Sequence, residues 1–166
     1  MITIQRRAMY LGAIGVAVCL SSTALATPGA GTLLNVVFNR ATAPQAIHAI
    51  GHSGQWTALL QTTSPTDFII QNVQLAPGGY SGWHSHLGPV VLTVKHGTAT
   101  MYRVEHGRCL RFDYPAGTAF VEPVGPHALQ NESATDVLEA FNAHIIPAGA
   151  PQRVDEPDPG VCPGVL

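Results

Sequence analysis

The sequence predicts an all-β protein, a sandwich or small barrel, and three observations carry that prediction. The 17 Gly and 13 Pro among 166 residues supply many turns and leave little room for long helices. Short runs of β-branched and apolar residues recur along the chain, separated by Gly/Pro punctuation. No segment carries a convincing amphipathic helical period, and there is no phosphate-binding glycine loop, Gly-x-Ser-x-Gly elbow or long repeat.

The first 26 residues stand apart from that pattern. Arg6-Arg7 forms a basic start, an apolar stretch follows over 9–20, and Ala24-Leu25-Ala26 ends it as a small-x-small cleavage site. This reads as an export signal by the Sec or the twin-arginine route, placing the product in the periplasm or outside the cell. The apolar stretch is short for a membrane span, so no membrane partner is expected once the signal is cleaved. Residues 27–166 then form one domain with an irregular tail.

Within that domain, strands are expected over 33–38, 56–62, 67–75, 90–94, 98–104, 109–114, 118–122 and 136–146. The breaks between them are turn chemistry: Gly51-His52-Ser53-Gly54, Ala76-Pro77-Gly78-Gly79, His96-Gly97, Pro115-Ala116-Gly117 and Pro123-Val124-Gly125-Pro126. The end, 147–166, is rich in Pro, Asp and Gly and is expected to cross the surface as irregular chain held at Cys162.

Charge excludes whole classes of partner. Only 11% of residues are charged, and the net charge of −2 becomes −4 when Arg6 and Arg7 leave with the signal. Nucleic acid and anionic membrane surfaces are therefore poor partners, and a small-molecule ligand or substrate is the expected one. The mature chain keeps two cysteines, Cys109 and Cys162, which in an oxidising compartment are expected to pair; two inert thiols are the other reading.

The chemistry concentrates in Gly82-Trp83-His84-Ser85-His86. On a strand, residues i and i+2 project from one face, so His84 and His86 converge, and imidazole nitrogen suits Zn, Cu, Fe and Ni; the expected cofactor is one divalent transition metal, Fe, Zn, Mn, Cu or Ni. His127 is the candidate third ligand; a surface pair of histidines is the bland alternative. The longer frame runs Gly78-x5-His84-x-His86-x3-Val90-x6-Gly97, then Gly117-x5-Pro123-x-Gly125-x-His127-x3-Asn131.

This frame resembles the two signature motifs of the cupin superfamily. The resemblance implies a double-stranded β-helix, the jelly-roll barrel, with His84, His86 and His127 binding one divalent metal. The sequence departs from the pattern twice: Val90 stands where glutamate usually gives a fourth ligand, and the spacer before His127 is one residue short. A three-histidine set is expected. Glu122 and Tyr80 are the catalytic candidates; Glu122 either replaces the missing carboxylate, acts as a general base, or is an exposed edge or supporting residue. Tyr80, Trp83, Tyr102, Phe120 and Phe141 are candidates for an apolar barrel mouth, with plain core as the alternative. The other histidines, His144 among them, are expected to be solvated or structural. Two functions stay open: a dioxygenase-like oxidoreductase acting on a small molecule, and a non-catalytic ligand- or metal-binding barrel. A homodimer through sheet edges is a further implication of the resemblance.

Overall fold

The computed structural model describes residues 26–165, so the expected signal over 1–26 lies, all but Ala26, outside the described residues. Twelve strands make up the described chain, and no helix interrupts them. They are β1 (Ala30–Ala43), β2 (His48–Ser53), β3 (Trp56–Gln61), β4 (Thr66–Tyr80), β5 (His84–Ser85), β6 (Val90–His96), β7 (Thr98–Glu105), β8 (Arg108–Pro115), β9 (Ala119–Glu122), β10 (His127–Gln130), β11 (Leu138–Pro147) and β12 (Val154–Asp155).

Every pairing is antiparallel. One layer runs β1-β4-β11-β6-β9 and the facing layer β8-β7-β10-β5-β12, joined where Gln130 of β10 meets Tyr80 of β4. This is the jelly-roll architecture, a double-stranded β-helix, and its strands bury alternate side chains. In β6, Val90, Leu92 and Val94 point inward while Val91, Thr93 and Lys95 point out. Leu75, Leu92, Val94, Met101, Phe120 and Leu138 form the main core between the layers. Burying such side chains stabilises by ~1.5–3 kcal/mol each.

Three expectations are corrected. Gly51, His52 and Ser53 are not a connection: His48 and His52 sit in β2, and the β2–β3 hairpin turns at Gly54-Gln55, where Gly54 takes φ +59°. Ala76-Pro77-Gly78-Gly79 does not reverse the chain either. It bulges within β4 between the pairs Thr32↔Leu75 and Ala30↔Tyr80, held by the Asn131 side-chain amide donating to the carbonyls of Leu75 and Ala76. Nor is the tail wholly irregular, because β12 pairs with β5, aligning Val154 with Ser85 and Asp155 with His84.

The expected disulfide is present: Cys109 and Cys162 are bonded, and Cys162 packs with Trp83, Ala128 and Val165 in a second apolar cluster. Among the described residues no helix is long and apolar enough to cross a membrane.

Candidate metal centre

His84 opens β5, His127 opens β10, and the two are directly paired across the ladder. The short spacer before His127 therefore does not displace it. His86 follows β5 with its side chain on the face shared with His84, and the three rings gather with centroids 4.4 to 5.2 Å apart. Glu122 arrives from the end of β9, on the inward face that also carries Phe120. All four are buried, and one ligand atom from each lies within 4.8 Å of the others.

Each histidine is oriented by a backbone carbonyl. Nδ1–H of His84 donates to Gly82 (3.0 Å), that of His86 to Gln152 (2.8 Å), and that of His127 to Gly125 (2.9 Å). A ring whose Nδ1 carries the proton presents a bare lone pair at Nε2, the arrangement that metal-binding imidazoles use. Burial holds His84 well below the usual imidazole range, with His127 and Arg153 adding to the effect, and burial likewise lowers His127. These two rings are neutral near pH 7.

Glu122 faces those lone pairs. Its Oε2 lies 3.2 Å from His86 Nε2 and its Oε1 lies 3.7 Å from His127 Nε2. Nε2 of His86, Nε2 of His127 and Oε2 of Glu122 are all buried without a hydrogen-bond partner. Acceptor groups aimed at one point with no donor between them are costly to bury. A divalent cation there would satisfy all of them, and its nitrogen and oxygen donors suit a first-row transition metal. The donor set fits a metal.

A cavity of about 460 Å³ adjoins the cluster and is lined by His84, His86 and Glu122 at its floor. One wall is amide-rich: Gln152 Nε2 donates to Gln71 Oε1 (2.6 Å), Gln71 Nε2 to Asn35 Oδ1, and Asn142 stands beside them. Leu75, Val73 and Leu129 form an apolar wall. At the mouth, Arg153 bonds the Ser81 carbonyl (2.8 Å) and Asp155 (2.6 Å).

Of the catalytic candidates, Glu122 joins the cluster as a buried carboxylate, not as an exposed edge residue. Tyr80 is not brought there: it pairs with Ala30 and Gln130 and is not among the cavity-lining residues. None of the expected aromatic mouth residues lines the cavity either. Trp83 is fully buried under the tail, Tyr102 packs beside it, Phe120 stacks on Tyr114, and Phe141 stacks on Phe38. His144 is buried 5.2 Å from His86, with Nε2 3.0 Å from Gln71 Oε1, and lines the cavity. Its signal in the sequence was only the inward phase of a strand, two residues after Asn142.

Fold and site together define a jelly-roll barrel with a buried three-histidine, one-glutamate cluster that could hold a metal. No protein-family model matches the chain, and no curated protein matches it. Among solved structures it is similar to vicilin from Corylus avellana (TM-score 0.46, 21% identity, 54% of this chain and 25% of that one). It is also similar to oxalate decarboxylase from Bacillus subtilis (TM-score 0.45, 16% identity, 55% and 27%) and to a recombinant oxalate oxidase in complex with glycolate (TM-score 0.44, 21% identity, 53% and 45%). Each match thus spans less than half of the solved chain.

Proposed function

We propose that this chain is an exported cupin metalloprotein that holds one divalent transition metal through His84, His86, His127 and Glu122. In this reading it acts on a small organic molecule in the adjoining cavity as a dioxygenase-like oxidoreductase. The observation that carries it is the set of orphaned Nε2 and carboxylate atoms turned to one point, each ring locked by a carbonyl at Nδ1. Such an ion supplies Lewis acidity and, if redox-active, electron transfer. Chain residues do the rest: Glu122 offsets part of the metal charge, the amides of Gln71, Gln152 and Asn142 orient polar groups of a ligand, and Leu75, Val73 and Leu129 exclude water. Export fits the disulfide, which needs an oxidising compartment.

A second reading, a barrel that binds a ligand or metal without chemistry, has its own support. Asp155 is paired to Arg153 and His144 Nε2 contacts amide groups, so the cavity offers few free acid–base groups beyond Glu122. Elemental analysis of the exported protein beside a His84→Ala/His86→Ala variant separates the outcomes. One bound ion per chain, lost in the variant, is expected, followed by oxygen uptake with small thiols or phenols. Stoichiometric metal without turnover would favour the binding reading. No metal after reconstitution with iron, manganese, zinc, copper or nickel would overturn both metal readings.

A further inference from the structure

We infer that the cavity beside the metal cluster takes a neutral molecule bearing several hydroxyl groups, held by a row of side-chain amides. The inference rests on the reading of that cavity as the ligand site and names the chemistry it selects. Asn35 on β1, Gln71 on β4 and Asn142 on β11 all line the cavity, and Gln152 joins them from the chain between β11 and β12. β1 and β11 flank β4, with Asn142 directly opposite Gln71, so the amides cross three adjacent strands. Along β4 the same face continues from Gln71 to Val73 and Leu75, which line the cavity too.

A polar side chain on an inward barrel face costs free energy unless its hydrogen bonds are answered. Here the protein answers only part of them. Gln152 Nε2 donates to Gln71 Oε1 (2.6 Å) and Gln71 Nε2 donates to Asn35 Oδ1, so the Gln71 amide is used at both ends. Among the described residues, no side-chain hydrogen bond is made by Asn142, by Nδ2 of Asn35 or by Oε1 of Gln152, and Oδ1 of Asn142 is buried without a partner. The unanswered set therefore holds donors, on Asn35 and Asn142, and acceptors, on Asn142 and Gln152.

That mixture selects the ligand. A carboxylate or phosphate only accepts and an ammonium only donates, and each is best met by opposite charge in the wall. Away from His84, His86 and Glu122, the charged lining residues are Arg153 and Asp155, and these are bonded to each other (2.6 Å). The unanswered groups also sit on separate elements, so each is met by a different ligand atom. A hydroxyl oxygen both donates and accepts at one atom, whereas a carboxamide splits the two roles between two. Leu75, Val73 and Leu129 face the carbon skeleton across the cavity. Aliphatic polyols and polyhydroxylated phenols share this chemistry, and the test separates them.

Nuclear magnetic resonance of the purified, isotope-labelled chain reads the side-chain NH2 signals of Asn35, Gln71, Asn142 and Gln152 directly. D-Mannitol and catechol are the probes, one for each skeleton, and succinate, cadaverine and malonamide are the comparisons. In the chelator-treated chain, where no ion competes for them, D-mannitol or catechol should shift these signals saturably, the tighter of the two identifying the skeleton. The comparisons should bind ~10-fold more weakly or not at all, and Asn142→Leu should weaken probe binding by about the same factor, roughly one neutral hydrogen bond. Neither probe shifting these signals before or after zinc loading, or a comparison binding as tightly before it, would overturn the inference. The wild-type signals keep the test decisive if the variant fails to fold. Zinc per chain is measured on the same preparation: zinc bound with no probe contact sinks this inference alone, and probe contact in a chain that takes up no metal sinks the metal reading alone.

Discussion

Glu122 lies directly across the β6–β9 ladder from Val90, and both side chains are buried on the same inward face. The position where the cupin pattern carries glutamate is thus apolar here, and its cross-strand neighbour holds the carboxylate. Directly opposed residues have Cβ atoms only ~4.5–5.5 Å apart, so a carboxylate moves between them with little change in its reach. The expected outcome is that Glu122→Val abolishes most metal retention and that the exchange variant Val90→Glu/Glu122→Val restores part of it. Metal content per chain after dialysis against a weak chelator measures both; an exchange variant as empty as Glu122→Val would show that the two positions are not equivalent.

The tail clamps the site from behind. Gln152 receives the His86 Nδ1–H bond, Glu156 accepts from Ser85 Oγ (2.6 Å), and the Glu156 amide donates to the Trp83 carbonyl (2.9 Å). All of this precedes Cys162, whose bond to Cys109 closes a separation of 53 residues. Cys109→Ser/Cys162→Ser should lower stability by ~4 kcal/mol in the chain-entropy treatment and weaken metal retention as well. Denaturant unfolding with paired metal analysis checks both, and unchanged retention would mean that β12 stays docked without its covalent anchor.

Gly82 is fixed by backbone crowding. It takes φ +71°, and a Cβ there would sit 2.2 Å from the Thr27 carbonyl oxygen. Its own carbonyl holds the His84 ring. Gly82→Ala should therefore destabilise by about 2 kcal/mol or more and loosen metal binding, whereas Gly107→Ala, at φ +72° but in open space, should cost less and leave the metal in place. Equal losses of metal from the two variants would count against this account.

Acid sensitivity should trace in part to Asp67. Its carboxylate accepts from Thr42 Oγ1, the Gly149 amide and Arg40, which together lower its pKa from 3.8 to about 2. Between those values the unfolded chain binds more protons than the folded one, so stability rises with pH. The contribution is complete above about pH 4 and is lost as pH falls toward 2. Urea titrations across that window should show a shallower acid limb in Asp67→Asn, together with lower stability at neutral pH. Identical slopes would assign the acid limb to other groups.

Metal retention should also depend on pH. Burial keeps His84 and His127 below the ordinary imidazole value of 6.5, so protons compete for their Nε2 atoms only under more acidic conditions. Retention should be flat from pH 8 to 6.5 and decline below. Loss already complete at pH 7 would argue against these two ligands.

Much of this protein was legible in the residues themselves. The β-branched, apolar run at 90–94, the turn at His96-Gly97 and the spacing of His84, His86 and His127 are local facts, because strand preference, a strand's period of two and a glycine's freedom act over a few residues. The Cys109–Cys162 pair was legible too, since only two cysteines lie outside the expected signal. Glu122 was visible as a candidate and not as a buried group: in Ala119-Phe120-Val121-Glu122 three apolar residues in a row hide which phase faces inward. Tertiary structure decided that phase by pairing Val90 with Glu122, 32 positions away in sequence. It likewise put β12 behind His86, carried the aromatic residues into the core or onto strand surfaces instead of the cavity, and left β1 and the hairpin uncovered. Register between distant strands is set by which apolar faces can be buried together, and no local run of residues encodes that choice.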